Sequence, residues 1–149
     1  MKTELTTKTY PLSPMQQGML FHNLSAHEPG VDVEQIFCTL HEDVDENAFE
    51  RAWRRAIERH AILRSSFHWQ GLAEPLQKVH PRAELEFSQE DWRKNSETER
   101  KKLFSARLES ERRRGFDLAQ APLMRLAVFR TGQSQWRFIW TFHHLLLDG

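Results

Sequence analysis

WRFIWTFHHLLLDG, residues 136–149, is an apolar, aromatic-rich run that carries two adjacent histidines, His143 and His144, to its C-terminal end. Strand alternation puts Trp140, Phe142 and His144 on one face and Ile139, Thr141 and His143 on the other. The pair is therefore not expected to grip one substrate atom together; one histidine should act chemically while the other packs. An imidazole can accept or share a proton near neutral pH, and a position where a strand runs into a loop leaves its ring reachable. Asp148, four residues after His144, either orients that imidazole or shapes the loop. His143, His144 and Asp148 are also the place to look for a metal, but the opposed faces and the lack of a further ligand nearby argue against one.

Upstream, the apolar run 123–130 is separated from this one by the polar TGQSQ at 131–135, the pattern of an antiparallel hairpin of two central strands. Three helices precede it. Ser13 followed by Pro14 and Gln16 makes a capping box that opens the first, with Met15, Met19 and Leu20 toward one side. Asp45 caps the second, where Phe49, Ala52, Trp53, Ala56 and Ile57 form one stripe opposite Glu50, Arg51, Arg54, Arg55 and Glu58. Ser96 and Glu99 form another capping box, opening a charged helix to about Arg114 with Leu103, Phe104 and Leu108 inward; the basic cluster 112–114 suits its C-terminal dipole.

Residues 33–41 read as a strand with Cys38 in the core, and residues 61–69 as a second strand that places Arg64 beside Ile62. Gly71, Pro75 and Pro81 punctuate 70–95, which predicts a hairpin or meander. The order helix, strand, helix, strand, meander, helix, strand, strand indicates an α/β sandwich with a mixed, mainly antiparallel sheet.

Composition narrows the function classes. A chain of 149 residues fits one domain or part of one. Its 21 basic and 21 acidic side chains give no net charge, so there is no global attraction to nucleic acid or an anionic membrane. The single cysteine excludes an internal disulfide. No signal peptide or membrane span is legible, which predicts a cytoplasmic location. There is no G-x-S-x-G elbow, glycine-rich phosphate loop or H-E-x-x-H. The last apolar run stops at Gly149 without a polar tail, which predicts a fragment.

His143 to Gly149 matches the HHxxxDG signature of the chloramphenicol-acetyltransferase-like acyltransferases. SPMQQGMLFH at 13–22 and RHAILRSSF at 59–67 resemble the first two motifs of nonribosomal peptide synthetase condensation domains, and FDLAQAPLMR at 116–125 is in the same style. The resemblance implies a chloramphenicol-acetyltransferase-like two-layer sandwich, with residues 1–9 as a leader and 10–149 as the N-terminal lobe only, the C-terminal part missing.

In that family two lobes form a V. Carrier proteins insert phosphopantetheine arms from opposite ends of a tunnel, and an aminoacyl amine attacks a donor thioester. The resemblance implies donor and acceptor carrier proteins and an adenylation domain as partners, no nucleic acid or membrane, and no directly bound cofactor beyond the carriers' phosphopantetheine. It makes His144 the histidine that positions or deprotonates the amine and stabilises the tetrahedral intermediate, with His143 as a packing residue. Asp148 is implied to pair with Arg64 and fix the loop, and Gly149 to let backbone N–H groups approach the thioester. Ala61 departs from the family's acidic residue. The first motif leans toward a D-configured donor. Related HHxxxDG acyltransferases, an epimerisation domain, or a truncated lobe acting only as a carrier-binding module are the alternatives, and the chain by itself is expected to be inert.

Overall fold

The computed structural model describes residues 7–147. Strand β1 (Lys8–Pro11) leads into helix α1 (Pro14–Ser25), then β2 (Val33–Leu40), α2 (Glu46–Arg59), a single 3-10 turn (Ala61–Arg64), β3 (Ser65–His68), β4 (Leu76–Val79), β5 (Glu86–Asp91), α3 (Glu97–Arg114), β6 (Met124–Gly132) and β7 (Gln135–His143). Each helix starts where its cap stands. Ser13 accepts from the Gln16 N–H while the Gln16 side chain reaches back to the Ser13 N–H, and Ser96 and Glu99 repeat the arrangement. Asp45 accepts from the Ala48 N–H.

The strands form two sheets. A three-stranded antiparallel sheet runs β1-β4-β3, and a four-stranded sheet runs β2-β7-β6-β5, antiparallel except for the parallel β5–β6 pair. The expected hairpin is β6–β7, with both strands inside the sheet. The first strand begins at Lys8, so residues 8 and 9 of the stretch read as a leader are paired with Val79 and Lys78.

Helices cover both faces of the four-stranded sheet. The α2 stripe lies on the face of Trp136, Phe138, Trp140 and Phe142: Phe49 meets Phe138 edge-on at 5.4 Å, and Trp53 lies 5.0 Å from Trp140. Ile57 is fully buried in the same cluster. On the other face α3 sets Phe104 against Ile139, Ala127 and Phe129. Burial of such large side chains, at roughly 1.5–3 kcal/mol each, fixes both helices to the sheet.

Three local readings change. Residues 61–64 are a 3-10 turn and the strand starts only at Ser65; Arg64 explains the difference, because its guanidinium donates to the Ile57 carbonyl at 2.7 Å and to that of Glu58. A cation bound to the last carbonyls of α2 answers both their missing partners and the helix dipole, so the chain must double back there instead of extending. Cys38 is exposed, since β2 lies at the sheet edge. Leu103 is also largely exposed, leaving Phe104 and Leu108 to make the α3 contact.

The candidate site: a histidine pair at the end of β7

β7 ends at His143, and His144 opens the turn that follows. Strand alternation sends His143 to the α3 side, where it is buried with 1 % exposure. Its Nδ1 accepts from the Leu145 N–H at 3.1 Å. The other ring nitrogen, Nε2, lies 3.1 Å from the Asn23 side-chain amide nitrogen of α1. The Phe116 ring meets it edge-on, with centroids 6.4 Å apart. His143 is thus a buried, bonded imidazole that braces the turn.

Burial holds its pKa down, at about 4, against the attraction of the Asp32 carboxylate and with some help from repulsion by His144. The unfolded chain therefore binds a proton at this position that the folded chain refuses between about pH 6.5 and 4. Stability from this group is whole above the unfolded value and falls as pH drops, by about 1.4 kcal/mol per unit across that window. Urea midpoints measured on this chain at pH 7 and 4.5 should show the loss, and His143→Gln should flatten it; equal slopes in the two proteins would refute the assignment.

His144 is held at two points and is only partly buried. Its backbone N–H donates to the Asp32 carbonyl at 2.8 Å, and its Nδ1 lies 2.8 Å from the Leu147 carbonyl oxygen. A carbonyl can only accept, so Nδ1 carries the proton and Nε2 keeps its lone pair. Among the described residues nothing hydrogen-bonds Nε2. This tautomer is the one needed to take a proton from, or hydrogen-bond to, an incoming N–H.

Asp32, which supplies the carbonyl, sits in a tight turn closed by the Val33 N–H on the Gly30 carbonyl at 3.3 Å. Both Gly30 (φ 84°) and Asp32 (φ 62°) have left-handed backbone. Gly30 could not be larger, since a Cβ there would stand 2.6 Å from the Arg112 carbonyl oxygen. The Asp32 carboxylate is 3.1 Å from His22 Nδ1 of α1. Asn23 and Asp32 thus belong to the site's surroundings and were missed in the sequence. The G-x-D spacing before β2 was the available turn signal, whereas nothing local marks Asn23.

Arg64 is tied to α2, and its Nε donates to the His80 carbonyl at 3.0 Å. Its expected partner Asp148 lies outside the described residues, as does Gly149. Among the described residues no three His, Cys, Asp or Glu side chains gather as a metal site, and no helix is long and apolar enough to cross a membrane.

Comparison with known proteins agrees with the family resemblance. The model of the Condensation domain family matches residues 6–149. The chain is 46% identical over 140 residues to a linear gramicidin synthase of Brevibacillus parabrevis, and 40% identical over 149 residues to bacitracin synthase 3 of Bacillus licheniformis. These alignments cover 94% and 100% of this chain but only 3% and 2% of the two relatives. Among solved structures, the starter condensation domain of rhizomide synthetase superposes with a TM-score of 0.84 at 20% identity, over 95% of this chain and 32% of that one. A four-domain nonribosomal peptide synthetase gives 0.78 at 18% identity, over 99% of this chain and 11% of that one. The mixed α/β fold is therefore that of the opening part of condensation domains.

Proposed function

Since this chain belongs to the condensation-domain family, we propose that its residues 10–149 form the N-terminal lobe of a nonribosomal peptide synthetase condensation domain and carry that domain's histidine. In the completed domain the amine of a carrier-bound aminoacyl thioester attacks the carbonyl carbon of a carrier-bound donor thioester. The C–N bond forms, the carbonyl oxygen becomes an oxyanion, and collapse breaks the C–S bond to release the pantetheine thiol. His144 Nε2 is the group that receives or hydrogen-bonds the amine proton. Backbone N–H groups near Gly149 shield the oxyanion. Asp148 and Arg64 shape the loop, and His143 braces it from behind.

The observation that carries this reading is the fixed tautomer of His144: its proton is committed to the Leu147 carbonyl, and among the described residues its Nε2 has no hydrogen-bond partner. The partners are a donor and an acceptor carrier protein with their phosphopantetheine arms, beside an adenylation domain, in the cytoplasm. The likeness to synthetases, one of them of four domains, supports carrier and adenylation partners in general.

The test supplies the chain joined to the remainder of a condensation domain with two loaded carriers, and follows the acceptor carrier by mass spectrometry. A dipeptidyl acceptor that needs both carriers is expected. Equal transfer from a coenzyme-A thioester without carriers, or epimerisation of a bound residue without amide formation, would overturn the reading.

A further inference from the structure

One motif of the sequence, FDLAQAPLMR at 116–125, has no part in the chemistry above, and the structure places it directly behind the histidine turn. The segment ties the two sheets together: the Leu118 carbonyl accepts from the Phe67 N–H of β3 at 2.7 Å, and the Leu123 carbonyl accepts from the His143 N–H of β7 at 3.0 Å. At its start the half-buried Phe116 ring touches two groups. It meets the His143 imidazole edge-on at 6.4 Å, and the Arg125 guanidinium stands 4.1 Å from its centroid. The attraction of the cation to the ring face holds the ring in place.

Arg125 itself has no freedom. Its side chain is 8% exposed, its Nε donates to Glu111 at 2.6 Å, and its two terminal nitrogens donate to the Gly115 and Glu111 carbonyls at 2.8 and 2.9 Å. From this anchor a continuous path of contacts runs through the Phe116 ring to the His143 ring. His143 accepts from the Leu145 N–H on its side chain and from the Leu146 N–H on its backbone. Those two bonds define the turn on which His144 sits.

We propose that Phe116 and Arg125 are positioning residues for the acyl-transfer site: they set the orientation of the His143 ring, and through it the turn that presents His144 Nε2. This deepens the function proposed above and rests on it for its catalytic consequence. Packing at 116 asks only for an apolar side chain, whereas the path needs an aromatic ring that meets Arg125 with its π face and His143 edge-on. An aliphatic replacement only slightly smaller therefore separates positioning from packing.

The test compares Phe116→Leu with Phe116→Tyr. In the completed domain the leucine variant should lower kcat about tenfold with KM for the carrier-bound donor unchanged, and the tyrosine variant should restore it. In this chain alone the leucine variant should speed hydrogen exchange at the Leu145 amide about tenfold and shift the His143 ring resonances, with the thermal midpoint held within a few degrees. Wild-type kcat in the leucine variant, or a loss matched by a fall in folded fraction with Leu145 exchange unchanged, would overturn the proposal. If the unaltered domain forms no amide from loaded carriers, the functional reading fails, and exchange at Leu145 decides the positioning role by itself.

Discussion

His144→Ala in the completed domain should lower single-turnover amide formation by about 10²- to 10⁴-fold, the usual worth of a positioned acid–base side chain. The fold should hardly notice. The side chain is only partly buried and, among the described residues, makes one hydrogen bond, to the Leu147 carbonyl, so its removal costs on the order of 1 kcal/mol of stability. The backbone bond to Asp32 is untouched by the substitution. His144→Asn sharpens the experiment, because asparagine can still donate to Leu147 yet offers no basic nitrogen; it should be as slow as alanine. A near-wild-type rate in either variant, with carriers loaded and the melting midpoint unchanged, would remove His144 from the chemistry.

Glu111→Ala should be the most destabilising of the substitutions discussed, by about 3 to 5 kcal/mol in urea unfolding. Glu111 and Arg125 are 9% and 8% exposed, and Arg107 adds a bond to the same carboxylate at 3.0 Å. Taking the carboxylate away leaves the Arg125 guanidinium buried between α3 and β6 without a counter-charge. Glu50→Ala is the matched control, since it breaks a half-exposed pair with Arg54 on the surface of α2. That loss should stay below about 1 kcal/mol. Restoring neutrality with Glu111→Leu and Arg125→Met together should recover much of the stability. A loss below about 1 kcal/mol for Glu111→Ala would show that water reaches the pair.

The helices and the β6–β7 hairpin were legible because their signals are local. Ser13, Asp45 and Ser96 each mark a helix start that needs no partner beyond the next four residues. The stripe from Phe49 to Ile57 does face the aromatic side of β7. Long-range information was invisible. The segment 70–95 suggested a hairpin or meander, yet β4 joins one sheet beside β3 and β5 joins the other, parallel to β6. Nothing within those residues states which sheet they enter. The run 61–69 alternates well enough to suggest a strand from its start, but Arg64 finds the open carbonyls at the end of α2, a tertiary gain that alternation cannot anticipate. Cys38 suggested core because β2 is apolar, and became exposed because β2 has a neighbour on one side only.

At the site the division is similar. His143 and His144 stood out by residue type and position, and their unequal burial follows from the strand's alternation. Asp32 and Asn23 reach them from α1 and the turn before β2, more than a hundred residues earlier in the chain. Only the assembled sheet brings those parts together.

The edge position of β2 also orders events in time. Among the described residues β2 has β7 as its one sheet neighbour, and their register joins Val33 to His143 and Leu40 to Trp136. During synthesis, at roughly 5–20 residues per second, β2 leaves the ribosome several seconds before its partner. Through that interval Ile36 and Phe37, half exposed even with β7 in place, have no sheet to join. Such a distant pairing is slow to close, and the strand that closes it is the one carrying the histidines. Closure of the β2–β7 pair and assembly of the histidine turn are therefore a single step, and a nascent chain stalled before β7 would hold an unpaired apolar strand for chaperones to cover.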